Sequence, residues 1–192
     1  MKTKIAIFAS GRGTNASALI SYFKGHPSIK VDCVFCNRKE AGVMQLAEQE
    51  GCPAYYFSER QFKVATEVLD KLKERNVDWI VLAGFLLMVP KVIVGAFSGR
   101  MVNIHPALLP KFGGKGMYGD RVHQAVLEAN ESKSGISIHW VDQHYDSGLI
   151  IQQFECKIAP SDGLAQLRAK VQKLEHQHLP PVMEALILNE KA

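Results

Sequence analysis

The run "KIAIFASGRGTN", Lys4 to Asn15, sets the architecture of this chain. Lys4 to Ala9 is a β-type apolar run, "SGRGTN" follows it, and an amphipathic stretch with Leu19, Ile20 and Phe23 comes next. A strand passing through a glycine-rich turn into a helix is the opening unit of a nucleotide-binding type of sheet. In such sheets ligands bind beyond the carboxyl ends of the strands, where a helix N-terminus offers free N–H groups to an anion. Gly11 and Gly13 allow close backbone approach there, and Thr14 and Asn15 add side-chain donors. The G-x-G-x-x-G fingerprint is met only with Ala16 in its third glycine position, and the Gly-Lys-Ser/Thr ending of a P-loop is absent. Taken alone, the segment serves equally well as a plain strand-to-helix turn with an Asn cap.

The same alternation continues outward. "KVDCVFC" reads as a second strand, Ala41 to Gln49 as helical and "PAYYF" as a third strand. From Arg60 to Arg75, Phe62, Val64, Val68, Leu69 and Leu72 have near-helical spacing. "DWIVLAGF" is a continuous apolar run suited to a central strand covered on both faces, and "RMVNIH" is a fifth strand. After Ala125 the pattern changes. "GISIHWV" and "LIIQQFECKI" alternate by about two around the turn "DQHYDSG" and read as an antiparallel pair. A last helix is expected to start near Ser161 or Asp162, either of which can cap it, and to break or restart at Pro180 and Pro181. The expected fold is α/β: a mostly parallel twisted sheet, Rossmann-like in its N-terminal half, with an antiparallel strand pair and a C-terminal helix.

Composition bounds the function. The 192 residues suit one domain with a single large core, and 47% hydrophobic with 22% charged residues is ordinary for a soluble globular protein. A net charge of +4, spread along the chain, suits a small anionic substrate and is too diffuse for nucleic acid. The longest apolar run, Trp79 to Val89, stops at Pro90, well short of the ~20 residues of a membrane helix. With no signal-peptide pattern at the start, a cytoplasmic protein is expected. Cys33 and Cys36 form a CxxC inside a strand, where positions three apart face opposite ways. No second pair has zinc spacing, so free, buried or half-buried thiols in a reducing compartment are expected, and no metal.

Two further segments carry chemistry. In "NIHPALLP", Asn103 and His105 fall on one face of the fifth strand, and Pro106 and Pro110 then force the backbone out of the sheet. An amide donor beside an imidazole can stabilise a developing oxyanion, and a protonated imidazole can give up a proton. In "HYDSG", His144 to Gly148, a carboxylate near His105 would favour its charged form; Asp146 is the better candidate and Asp142 the alternative. Each segment also has an ordinary use, the first in bonding the loop backbone and the second in making a hairpin.

Together, "IAIFASGRGTN", "LAGFLL", "NIHPALLP", "SGISIHWVDQHYDSG" and "VQKLEHQHLPP" resemble, in this order and over nearly the whole chain, the folate-dependent formyltransferases. The likeness is greatest to the branch that acts on glycinamide ribonucleotide (GAR). It implies Asn103, His105 and Asp146 as the catalytic trio, Gly13, Thr14 and Asn15 as phosphate ligands, and Glu175 as a ribose contact. For the folate it implies Arg60, Leu82, Phe85, Leu86, Leu87, Met88 and Val89, with Asn103 and Asp142, while His123 and His139 stand behind the site. Leu87 and Gln172 depart from the family pattern, which often has Arg at the first and in some members a phosphate-binding Lys at the second, and Gly113 to Arg121 is longer than in many relatives.

The resemblance further implies one domain over 1–192, with a phosphate-binding half (1–100) and a catalytic, folate-binding half (101–192). The implied reaction moves the formyl group of 10-formyltetrahydrofolate to the GAR amine, in purine (IMP) biosynthesis, without a metal. Asn103 and protonated His105 would stabilise the oxyanion and Asp146 would accept the amine's proton. The partners implied are these small molecules, with no nucleic acid or membrane, in a monomer or homodimer. Among relatives of the same fold, methionyl-tRNA formyltransferase has a further C-terminal domain and a different first loop. Formyltetrahydrofolate hydrolase has a second His where this chain has Pro106. A non-catalytic binding module would keep the glycine loop but have no use for the trio.

Overall fold

A computed structural model describes residues 1–189; residues 190–192, the last three of the expected single domain, lie outside the described residues. Five parallel strands come first: β1 (Thr3–Phe8), β2 (Ile29–Cys36), β3 (Ala54–Tyr56), β4 (Trp79–Ala83) and β5 (Met101–His105). The antiparallel β6 (Lys133–Trp140) and β7 (Ile150–Lys157) complete one sheet of order β3-β2-β1-β4-β5-β6-β7. The helices are α1 (Thr14–Phe23), α2 (Gly42–Gln49), α3 (Glu59–Val64), α4 (Thr66–Glu74), α5 (Lys91–Ala96), α6 (Asp120–Glu128) and α7 (Leu164–Asn189).

Both faces of the parallel part of the sheet are covered, which is why β1 and β4 are almost continuously apolar. Ile5 and Ile7 of β1 face one core, shared with Leu19 of α1, Val43 of α2 and Leu167, Val171 and Met183 of α7. Ala6 and Phe8, one residue out of step, face a second core with Phe62, Val68, Leu72 and Ile93 from α3, α4 and α5. The strand order reverses between β1 and β4, and at that point the Ser10 N–H bonds the Gly84 carbonyl at 3.0 Å. A crevice opens beyond the strand ends at such a switch point.

The expected elements from β1 to β5 and the antiparallel pair are present, and Cys33, Cys36 and Cys52 are buried free thiols with Cys156 half-buried. Three local expectations change. The helical run from Arg60 to Arg75 is two helices, because Ala65 turns left-handed (φ 67°) and ends α3 while starting α4. With that break, Phe62, Val68 and Leu72 all reach the second core. Neither Ser161 nor Asp162 caps α7: Asp162 accepts the Ala159 N–H (2.8 Å), and Gln166 accepts that of Gly163 (3.2 Å). Pro180 and Pro181 lie inside α7 rather than breaking it. An interior proline costs about 3 kcal/mol, and here buried Leu179, Pro180, Val182, Met183 and Ile187 hold the helix on the core beyond that point. The helices α5 and α6 have no counterpart in the sequence reading; both are short and follow Pro90 and Gly119.

Candidate active site

Beyond the carboxyl ends of β1, β4 and β5 lies a cavity of about 820 Å³, walled by α7 and roofed by the loop from Gly114 to Asp120. That volume suits one drug-sized ligand or two smaller ones. Its two ends are built from different material.

At one end stands the "SGRGTN" loop. Gly13 is left-handed (φ 83°), and a Cβ there would lie 2.7 Å from Cγ2 of Val43 on α2. Only glycine fits. Gly13 is also the N-cap of α1 and gives it no side-chain cap, so the turn is not closed by Asn15. The first bonded amide is that of Ser17, to the Gly13 carbonyl at 2.9 Å. The amides of Thr14, Asn15 and Ala16 before it have no acceptor within the helix, which leaves partial positive charge facing the cavity. Asn15 instead reaches across to α7, where its Nδ2 donates to Oε2 of Glu175 at 3.1 Å. Glu175 is partly accessible as a residue, but its carboxyl group lies deep. Burial pushes that carboxyl up to about 7, with the Asn15 bond acting the other way. Gln172, one turn earlier, lines the same wall.

At the other end the register of β5 against β6 sets Asn103 opposite His139 and His105 opposite Ser137. The Trp140 carbonyl can only accept, so His139 Nδ1 donates to it (2.8 Å) and its Nε2 is left as an acceptor. That fixes the Asn103 amide, whose Nδ2 donates to His139 Nε2 (3.0 Å) and to Asp146 Oδ1 (3.2 Å). Asp146 Oδ2 accepts the Gly114 N–H at 2.9 Å and stands 3.5 Å from His105 Nδ1. His105 Nε2 donates to the Phe112 carbonyl at 2.8 Å. Asp146 is itself left-handed (φ 51°), and Gly148 is needed because a Cβ there would lie 1.7 Å from the Trp140 oxygen. Asp146 is thus the carboxylate beside His105. Asp142 stays in the turn, accepting from the His144 amide (2.8 Å) and the Ser147 hydroxyl (2.9 Å).

The charge state differs from the sequence expectation. His105 is 3% exposed, and burial draws its pKa below the usual histidine value; Asp146 and the Phe112 bond pull upward with less effect. Asp146 is held below the ordinary carboxylate range. Burial, its largest single influence, pushes upward, but the His139 side, His105 and the Gly114 N–H together outweigh it. The resting pair is therefore a carboxylate beside a mainly neutral imidazole at neutral pH.

Other expected residues divide. Phe85, Leu86 and His123 line the cavity, and His123 is buried with its pKa lowered by that burial. Leu82 and Val89 do not reach it, because they belong to the second core on the far face of the sheet, against which Leu87 also packs. Arg60 and Met88 are exposed and do not line this cavity. Sequence reasoning missed Ser10, whose hydroxyl donates to Asn37 Oδ1 (2.6 Å) and accepts the Leu86 N–H (3.0 Å), tying three strand ends together. It also missed the Gly114 amide, for which the run "FGGKG" was the available signal. Among the described residues no cluster of three metal-ligating side chains occurs, and no helix is long and apolar enough to cross a membrane.

Comparison with known proteins agrees with this geometry. The family model described as formyl transferase matches residues 3–183. The chloroplastic phosphoribosylglycinamide formyltransferase of Vigna unguiculata is 37% identical over 190 residues, covering 96% of this chain and 61% of the relative. The chain therefore spans about three fifths of that protein's length. The phosphoribosylglycinamide formyltransferase of Bacillus subtilis (strain 168) is 33% identical over 189 residues, covering 96% of this chain and 94% of its own. The crystal structure of phosphoribosylglycinamide formyltransferase from Bacillus halodurans superposes with a TM-score of 0.88 at 34% identity, over 96% of this chain and 95% of that one. With a match that runs from the first strand into the helix carrying Glu175, this chain belongs to the formyl transferase family.

Proposed function

We propose that this chain transfers a formyl group from 10-formyltetrahydrofolate to the primary amine of glycinamide ribonucleotide, as a step of purine biosynthesis. The observation that carries the reading is the meeting of Asn103, His105 and Asp146 in the same cavity as the open N-terminus of α1. One end offers an anion-binding helix terminus and a deep carboxyl for sugar hydroxyls. The other offers a base beside an amide donor. The folate is the formyl donor, and the apolar side of the cavity at Phe85 and Leu86 suits its ring.

The resting hydrogen bonds suggest how the chain's own groups act. As the amine nitrogen bonds to the formyl carbon, negative charge gathers on the formyl oxygen and the nitrogen becomes acidic. Ionised Asp146 takes that proton, and His105 Nδ1, 3.5 Å from Oδ2, is placed to receive it and return it to the departing folate nitrogen. Once Asp146 is neutral it holds the Asn103 N–H less strongly. The 3.2 Å bond is the longer of the two that Asn103 makes and loses its charge assistance when Asp146 is protonated, so this N–H is the one free to turn to the oxyanion. His139, locked by the Trp140 carbonyl, keeps Asn103 facing the right way throughout. Residues from both before and after residue 100 line this cavity, in keeping with a single functional domain.

The test is direct. The purified chain, given 10-formyltetrahydrofolate and GAR, should release tetrahydrofolate in step with formylated GAR. Release of formate without GAR formylation, or no turnover at all, would overturn the proposal.

A further inference from the structure

The anion-binding end carries a charge imbalance. A phosphate placed at the N-terminus of α1 sits beside Glu175, whose carboxyl is part-ionised at neutral pH. The side chain that α7 offers one turn earlier, Gln172, is neutral. A helix terminus by itself supplies only about half a unit charge. A dianion held there therefore calls for a cation from another element.

Five cationic residues line the cavity: Arg12, Arg38, Lys115, Arg121 and Arg168. Arg168 is committed to Asp120 through two contacts, 2.9 and 3.1 Å. Arg121 lies over the Tyr118 ring, 5.0 Å from its centroid. Lys115 belongs to the roof, next to Gly114, which bonds the catalytic carboxylate. That leaves Arg12 and Arg38. Neither makes an ion pair among the described residues; Arg12 lies within the glycine loop, Arg38 comes just after β2, and both line the cavity.

Their backbones are anchored although their side chains are exposed. Arg12 lies between Gly11 and Gly13, where the Gly11 carbonyl accepts the Val43 N–H of α2 at 3.0 Å. Arg38 follows Asn37, which is bonded to Ser10 at the start of the loop; its own N–H donates to the Cys36 Sγ (3.4 Å) and its carbonyl accepts the Ala41 N–H (3.2 Å). Both side chains line the cavity that the N-terminus of α1 opens into, and a forked guanidinium is the group suited to bidentate contact with phosphate oxygens.

We propose that Arg12 and Arg38 form a cationic clamp on the phosphate of the nucleotide substrate, opposite the neutral wall of Gln172. This inference rests on the proposed function only in naming GAR as the bearer of that phosphate.

Arg12→Ala, Arg38→Ala and the double variant are assayed with GAR and with its dephosphorylated nucleoside, and inorganic phosphate is tested as a competitor of GAR. A charge-assisted hydrogen bond contributes about 1.5–3 kcal/mol, so each single variant should raise the GAR KM by roughly tenfold or more, and the double variant further. The turnover number and the folate KM should stay within about threefold, a change of under 1 kcal/mol. The nucleoside should be used equally well by all forms, and phosphate should compete less well against the variants. A GAR KM unchanged in the double variant, or equal weakening toward nucleotide and nucleoside, would overturn the clamp. If the wild type binds phosphate and the double variant does not, while neither formylates GAR, the clamp stands and the assigned reaction falls.

Discussion

At the anion-binding end, the groups that would meet a ligand come mostly from one run, Ser10 to Asn15, and many of them are backbone amides. At the catalytic end, Asn103, His105 and Asp146 are side chains, and the Asn103–Asp146 bond joins residues 43 apart. The first end depends on one left-handed glycine and a helix start that lie within a single run of residues. The second depends on strand register, on a left-handed aspartate and on a tautomer set by the Trp140 carbonyl. Backbone sites tolerate side-chain change, whereas a network whose members satisfy one another fails when one member is lost.

The largest expected effect separates the two ends by kinetics. Asp146→Asn keeps shape but cannot take a proton, and it presents a second amide to Asn103. General-base and oxyanion contributions are each worth a hundredfold or more, so turnover should fall by ~10²–10⁴ while both KM values change little. Asp142→Asn should lose far less, because among the described residues Asp142 bonds only within its own turn. A crippled Asp142→Asn beside an active Asp146→Asn would reassign the carboxylate and dissolve the contrast.

The next effect reads charge at the anion end through stability. Glu175 keeps its proton up to about 7 in the folded protein, against 4.5 for an unperturbed glutamate. Its contribution to stability is therefore fully present below pH 4.5 and is lost as pH rises through 7. A shift of this size is worth at most roughly 3 kcal/mol. Glu175→Gln should remove this fall from a urea-denaturation series between pH 4.5 and 7.5, becoming the more stable form at the upper end. Parallel pH curves for the two proteins would show that the carboxyl is not buried as drawn.

The smallest effect isolates the backbone. Gly13→Ala forces a left-handed alanine, at about 1–2 kcal/mol, and pushes its methyl group onto Val43. A loss of around 2 kcal/mol or more is expected in denaturant melts. Gly11→Ala, where nothing lies within 4 Å of the added carbon, should cost under about 1 kcal/mol. Equal losses at the two glycines would mean that the loop adapts and that Gly13 is not the fixed point of this end.

Legibility in the sequence followed the same division. The glycine loop, the central apolar strand and the Asn103–His105 face could be read because each is a short-range pattern with a fixed period. Ala65 and the internal prolines of α7 misled, because local propensity there yields to core packing on both sides of the break. The resemblance implied Leu82 as a folate contact, but Leu82 does not line the cavity. A period of two turns it instead to the far core.

From sequence alone came the order of strands and helices, the carboxyl-end position of the chemistry, and the resemblance that links three distant motifs. Those are properties of residue type and spacing, which a one-dimensional string preserves. Tertiary structure alone set the 3.5 Å between Asp146 and His105, left His105 resting neutral and Glu175 holding a proton near pH 7, and brought Arg12 and Arg38 to one cavity with no ion pair among the described residues. Each of these depends on distance and on exclusion of water, which exist only after segments remote in sequence have packed together.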